Sequence, residues 1–70
     1  MRKNMLRVWR RRLSFTQVEL AKTAHCSRAT IILIERLKHY PTSKVRSRLA
    51  TALSVSESVI WPTLEVADGK

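Results

Sequence analysis

The side chains of this sequence that could do chemistry are above all cationic. Fourteen Lys and Arg stand against five Asp and Glu, for a formal charge of +9. With a pI near 11.2, this implies a polyanionic partner, and both nucleic acid and an anionic membrane surface qualify. Residues 1–50 hold thirteen of the basic residues and only Glu19 and Glu35, for +11, whereas residues 51–70 hold Lys70 against Glu57, Glu65 and Asp68, for −2. Partner contact therefore belongs to the first fifty residues. Nucleophilic and metal chemistry is thinly provided. Cys26 is the only cysteine, which excludes an intrachain disulfide or a thiolate cage and suits a reducing cytoplasm. His25 and His39 are too few for a metal site without nearby acids, so neither metal nor cofactor is expected. A Cys–His catalytic pair fails because His25 is merely the chain neighbour of Cys26 and no third group orients it. A chain this short buries only about 60% of its unfolded surface, too little for a large enclosed active site, and no enzymatic activity is expected.

The longest apolar stretch, Ile31 to Ile34, is far short of the roughly 20 residues that span a bilayer. Arg7, Arg10, Arg11 and Arg12 interrupt any signal-peptide core behind Arg2 and Lys3. The same Arg-rich, acid-free start imitates a transit peptide, yet its residues fit a helix better.

The elements that must position these charges are helical. Residues 5–13 predict a first helix with Leu6, Trp9 and Leu13 inward, the arginines on its other faces and Asn4 as its cap. Thr16 followed by Glu19 is a capping box for a second helix, with Phe15 stapled to Leu20. Its inner face is Leu20, Ala21 and Ala24, with Val18 at the edge. His25 and Cys26 form the break. Ser27 then caps a third helix running to about Arg36, and a turn this short between two helices is a sign of a helix-turn-helix. Pro41 and Thr42 open a fourth helix with Val45, Leu49, Ala52 and Leu53 in one stripe. Ser54 or Ser56 starts a last short helix, which Pro62 ends near Trp61. No segment alternates with period two, so the fold class is all-α. Trp9 and Trp61 read as core or interface residues, and Cys26 fits a core position as Val would.

The ordered set of motifs now carries a resemblance. Thr16-Gln17-Val18-Glu19-Leu20-Ala21, Ser27-Arg28-Ala29-Thr30-Ile31, Ile34-Glu35-Arg36, Pro41 and Leu49 to Ser56 resemble the Cro/C1-type helix-turn-helix, the lambda-repressor-like DNA-binding domain, over about residues 5–61. The resemblance implies a compact four- to five-helix fold that binds operator duplex DNA, usually as a dimer, and regulates transcription in the cytoplasm. On this reading residues 1–4 form a basic arm, 5–61 the DNA-binding domain and 62–70 a short tail.

The resemblance and the residues assign roles together. Gln17, at the first turn of helix two, offers its amide and nearby free N–H groups to a phosphate, and Ser27 caps helix three and touches phosphate. At about 100° per residue, Ile31 and Ile34 point to the core, with Thr30 and Glu35 on the flanks. Arg28, Ala29, Ile32, Leu33 and Arg36 then face outward, where the family meets base edges. Arg28 is the leading base reader, because a guanidinium bonds O6 and N7 of guanine together; a phosphate contact is the alternative. Ala29 and Thr30 offer methyl groups to thymine. Lys38, His39 and Tyr40 occupy what looks like the family's phosphate-contacting loop, joined by Lys44. Arg10 and Glu35 match positions that form an ion pair tying helix one to helix three.

Three features depart from the pattern. Ile32 and Leu33 stand where the family carries polar residues, so the third helix is apolar almost all round. Such a helix is usually buried, and these side chains meet thymine methyls, a protein partner, or the core of a helix rotated from this projection. Glycine is absent from the turn and from the end of helix three. His25 tolerates a left-handed conformation there, but Leu37 does not do so cheaply, which predicts a third helix one residue longer. Arg46 replaces a commonly apolar residue, with Val45 taking over its packing. A homodimer is expected through the C-terminal segment, at Val59, Ile60, Trp61, Leu64 and Val66. The competing class is a protein-interaction adaptor or antirepressor working through Ile32 and Leu33. A basic membrane-surface binder is disfavoured by the organised capping.

Overall fold

The computed structural model describes residues 4–62. Five helices follow in order: α1 Leu6–Arg12, α2 Gln17–Ala24, α3 Arg28–Glu35, α4 Ser43–Leu53 and α5 Glu57–Ile60. There is no strand among the described residues. Arg2, Lys3, Leu64 and Val66, to which the sequence assigns an arm and part of a dimer surface, lie outside the described residues.

The capping chemistry builds the helix starts. Thr16 Oγ1 accepts from the Glu19 N–H at 3.0 Å while Glu19 Oε1 accepts from the Thr16 N–H at 2.9 Å, closing the box at α2. Ser27 Oγ accepts from the Thr30 N–H at 3.1 Å and Thr42 caps α4 through the Val45 N–H. Each such cap contributes about 1 kcal/mol. Asn4 works across two elements: its Oδ1 accepts from the Leu6 N–H at 3.0 Å, and its Nδ2 donates to the Ile34 carbonyl at 3.0 Å. The Met5 N–H bonds the Ile60 carbonyl at 2.8 Å, joining the start of α1 to α5.

The helices enclose one core of Leu6, Leu20, Ala21, Ala24, Ile31, Ile34, Leu49, Ala50, Leu53, Ile60 and Trp61. α2 lies at the centre, packed on α3 and α4, and Ala21 and Ala24 let those neighbours approach closely. Phe15, Cys26 and Val45 pack against the core's edge. Burial of each large aliphatic side chain contributes about 1.5–3 kcal/mol.

Three expectations are corrected. Leu13 is not an inner residue of the first helix. It is 45% exposed, and the buried positions of α1 are Leu6 and Arg10, because the Arg10 charge has a partner in the interior. α3 does not run past Arg36: Leu37 adopts φ 61°. Its N–H bonds Ile34 O at 3.0 Å and the Lys38 N–H bonds Leu33 O at 2.9 Å, the paired closing bonds of a left-handed helix end. Two satisfied carbonyls and a half-buried side chain offset the steric cost of a non-glycine residue there. Ile60 and Trp61 are fully buried and belong to this chain's own core, the core reading of Trp61, so neither is part of an outer dimer surface.

Candidate nucleic-acid interface

The turn between α2 and α3 is built from two local choices. His25 takes the left-handed conformation at φ 57° that ends α2, and Ser27 returns to extended backbone and starts α3. α3 presents Ile31 and Ile34 to the core, fully buried, which fixes its rotation. Arg28, Ala29 and Arg36 are consequently exposed, Thr30 and Ile32 half-buried, and Leu33 43% exposed. Apart from Ile32, which is half-buried at the edge of the cleft beside α1, the outer residues of α3 are left exposed by the described chain, apolar Ala29 and Leu33 among them.

The starts of α2 and α3 leave donors unused. With Thr16 Oγ1 serving Glu19, the N–H groups of Gln17 and Val18 have no acceptor among the described residues, and Arg28 and Ala29 are in the same state behind Ser27. Ser27 Oγ also shares a hydrogen bond of 2.9 Å with Thr30 Oγ1. Free N–H groups at a helix start are donors for an anion.

Beside them, α1 and α3 enclose an open cleft of about 490 Å³, lined by Arg7, Arg10, Arg11, Thr16, Gln17, Arg28, Ile32, Glu35 and Arg36. Its one acid is spoken for. Arg10 Nε lies 2.6 Å from Glu35 Oε2 and Nη2 lies 3.3 Å from Oε1, while Arg10 Nη1 donates to the Phe15 carbonyl at 2.8 Å. Gln17 Nε2 adds a bond of 3.3 Å to Glu35 Oε1. The four remaining guanidiniums, of Arg7, Arg11, Arg28 and Arg36, have no ion-pair partner among the described residues.

The structure thus brings Gln17, Arg28 and Arg36 together and seats Ser27, Ala29, Thr30 and Leu33 on the same short helix. It keeps Lys38, His39, Tyr40 and Lys44 apart from the cleft, in the α3–α4 connection and the first turn of α4. Lys38, His39 and Lys44 are exposed. Tyr40 packs on the core edge under the Arg46 guanidinium, 5.2 Å from the ring centre. Arg46 also donates to Pro41 O at 2.8 Å and pairs with Glu57 at 3.4 Å, so it anchors this connection while Val45 packs against the core. Arg7 and Arg11 were not among the expected site residues. Their four-residue spacing was visible, but their position against α3 depends on how the two helices cross.

A short helix with unused N-terminal donors, an uncovered outer face and adjoining guanidiniums can enter a groove and bind its flanking phosphates. The fold and site define a DNA-binding helix-turn-helix domain. The chain belongs to the Cro/C1-type helix-turn-helix family, whose model, described as helix-turn-helix, matches residues 6–60. No curated protein matches the sequence. Among the described residues no helix is long and apolar enough to cross a membrane.

Proposed function

We propose that this protein is a sequence-specific transcriptional regulator, a repressor of the kind phage and mobile elements use, acting on duplex DNA in the cytoplasm. The observation that carries this reading is the uncovered outer side of α3 beside a cleft with four unpaired guanidiniums. In the proposal Arg28 reads guanine and Ala29, Thr30 and Leu33 lie against thymine methyls. Gln17, Ser27, Arg36, Lys38, His39 and Lys44 hold phosphates, whereas Tyr40, whose hydroxyl is buried, shapes the connection that carries Lys38 and His39 instead of touching phosphate. The domain comprises residues 5–61, flanked by a basic arm of 1–4, whose Asn4 is anchored to Ile34, and a tail of 62–70. A twofold dimer would engage half-sites about one helical turn, roughly 34–36 Å, apart. Val59, 38% exposed, is the described residue left for its C-terminal contact.

Titration of labelled duplexes against salt tests this. Counterion release predicts a steep negative slope of log affinity on log salt, and no duplex binding at low salt would contradict the proposal. The exposed Leu33 favours a second reading, a protein-binding adaptor or antirepressor. It requires Leu33→Asp to abolish partner capture from a folded domain while duplex binding is absent.

A further inference from the structure

Arg46 stands on α4 where the family commonly carries an apolar residue, and its side chain is only 15% exposed. Its guanidinium meets three different parts of the chain. Nη1 donates to the Pro41 carbonyl at 2.8 Å, Nε pairs with Glu57 Oε1 at 3.4 Å at the start of α5, and the central carbon lies 5.2 Å from the centre of the Tyr40 ring. A planar, rigid fork serves its edges and its face at once. Leucine here would keep only the packing, and lysine only the charge.

The residues it grips lie inside the α3–α4 connection, whose two ends are closed locally by the Lys38 N–H on Leu33 O and by Thr42 at the start of α4. Lys38 and His39 are exposed between those ends, and Lys44 is exposed just beyond them. Their own chemistry does not gather them. Lysines repel one another, and Lys44 sits at the end of α4 where the helix dipole disfavours a cation and no acid compensates. A segment that orders only on meeting its partner forfeits affinity, whereas one held beforehand does not. Arg46 supplies that hold while its own charge is offset by Glu57 and turned from solvent. We infer that Arg46 is a positioning residue for duplex binding: it touches no phosphate, and through Pro41 and Tyr40 it fixes the connection so that Lys38, His39 and Lys44 meet the backbone together. This rests on the DNA-binding reading above.

The test uses the full chain and one labelled duplex, with circular dichroism and thermal melts to verify folding. Arg46→Leu should lower affinity roughly 10-fold and reduce the log–log salt slope by about 2, the loss expected for two lysine contacts. Arg46→Lys should restore neither. Lys38→Gln/Lys44→Gln should cost much less in Arg46→Leu than in the wild type, because the lysines are already displaced. Glu57→Gln removes an acid and on charge alone would tighten binding; it should instead weaken binding about 2-fold or more, and it decides the matter if Arg46→Leu unfolds. If Arg46→Lys restores affinity, if the losses add, or if the Arg46→Leu slope falls by only about 1, Arg46 is itself a phosphate contact and the positioning role is wrong while the DNA reading stands. Unchanged affinity in Arg46→Leu, or tighter binding in Glu57→Gln, would also overturn it. If the wild type binds no duplex at low salt, the DNA reading itself fails.

Discussion

Arg10 and Glu35 meet through two hydrogen bonds, Nε to Oε2 at 2.6 Å and Nη2 to Oε1 at 3.3 Å, with side chains only 10% and 6% exposed. The pair fixes α1 against α3 and removes the one carboxylate of the cleft from competition with phosphate. One contact therefore serves both packing and the electrostatics of the interface.

Breaking either half leaves a buried charge alone. Glu35→Ala or Arg10→Ala should cost about 3–5 kcal/mol, whereas Arg10→Met combined with Glu35→Leu should recover most of the loss. Urea unfolding of the single and double variants measures this, and additive losses would contradict it.

Among the described residues, four that are not glycine, Ser14, His25, Leu37 and Ser54, hold left-handed backbone at φ 57–62°. Ser14 is exposed and has no side-chain hydrogen bond in the described structure, so Ser14→Gly should stabilise the domain by about 0.5–1 kcal/mol through relief of the Cβ clash. Leu37→Gly should gain less, because it also loses packing. Paired thermal melts give the comparison.

Trp61 is fully buried, yet its indole N–H has no acceptor among the described residues. Trp61→Phe should therefore cost about 1 kcal/mol or less, the lost volume being offset by removal of an unsatisfied donor, while Trp61→Ala should cost about 3–5 kcal/mol. Chemical denaturation of the two variants separates these outcomes.

Burial pushes the Cys26 thiol pKa up, and the Arg48 guanidinium pulls it down less strongly. Because the folded state favours the protonated thiol, this group's contribution to stability is present below the unfolded pKa and is lost as pH rises through the folded one. Alkylation at mildly alkaline pH should be slower in the native domain than in urea, and Cys26→Val should bind duplex as the wild type does.

Much of this architecture is legible in local chemistry. Thr16 with Glu19, Ser27 before Arg28, and the Leu20, Ala21, Ala24 face are short-range patterns, and each determines its element without reference to the rest of the chain. The misses depend on tertiary context. Arg10 displaces Leu13 from the interior only because Glu35 arrives from α3. Leu37 turns left-handed because its N–H and that of Lys38 satisfy the end of α3. Ile60 and Trp61 look available to a dimer surface until the Met5 N–H ties α5 to the start of α1. Arg7 and Arg11 read as a solvated basic face until α1 lies beside α3.

In the proposed mode of binding the outer side of α3 reads bases, with Arg28 foremost. Selection of bound duplexes from a randomised pool, run in parallel for the wild type and Arg28→Ala, tests it most directly. The wild type should select a preferred sequence with guanine fixed at one position of each half-site. That preference should relax in Arg28→Ala at that position alone, by about 1–3 kcal/mol. A wild type without sequence preference, or an Arg28→Ala variant that selects the same sequence as strongly, would contradict it.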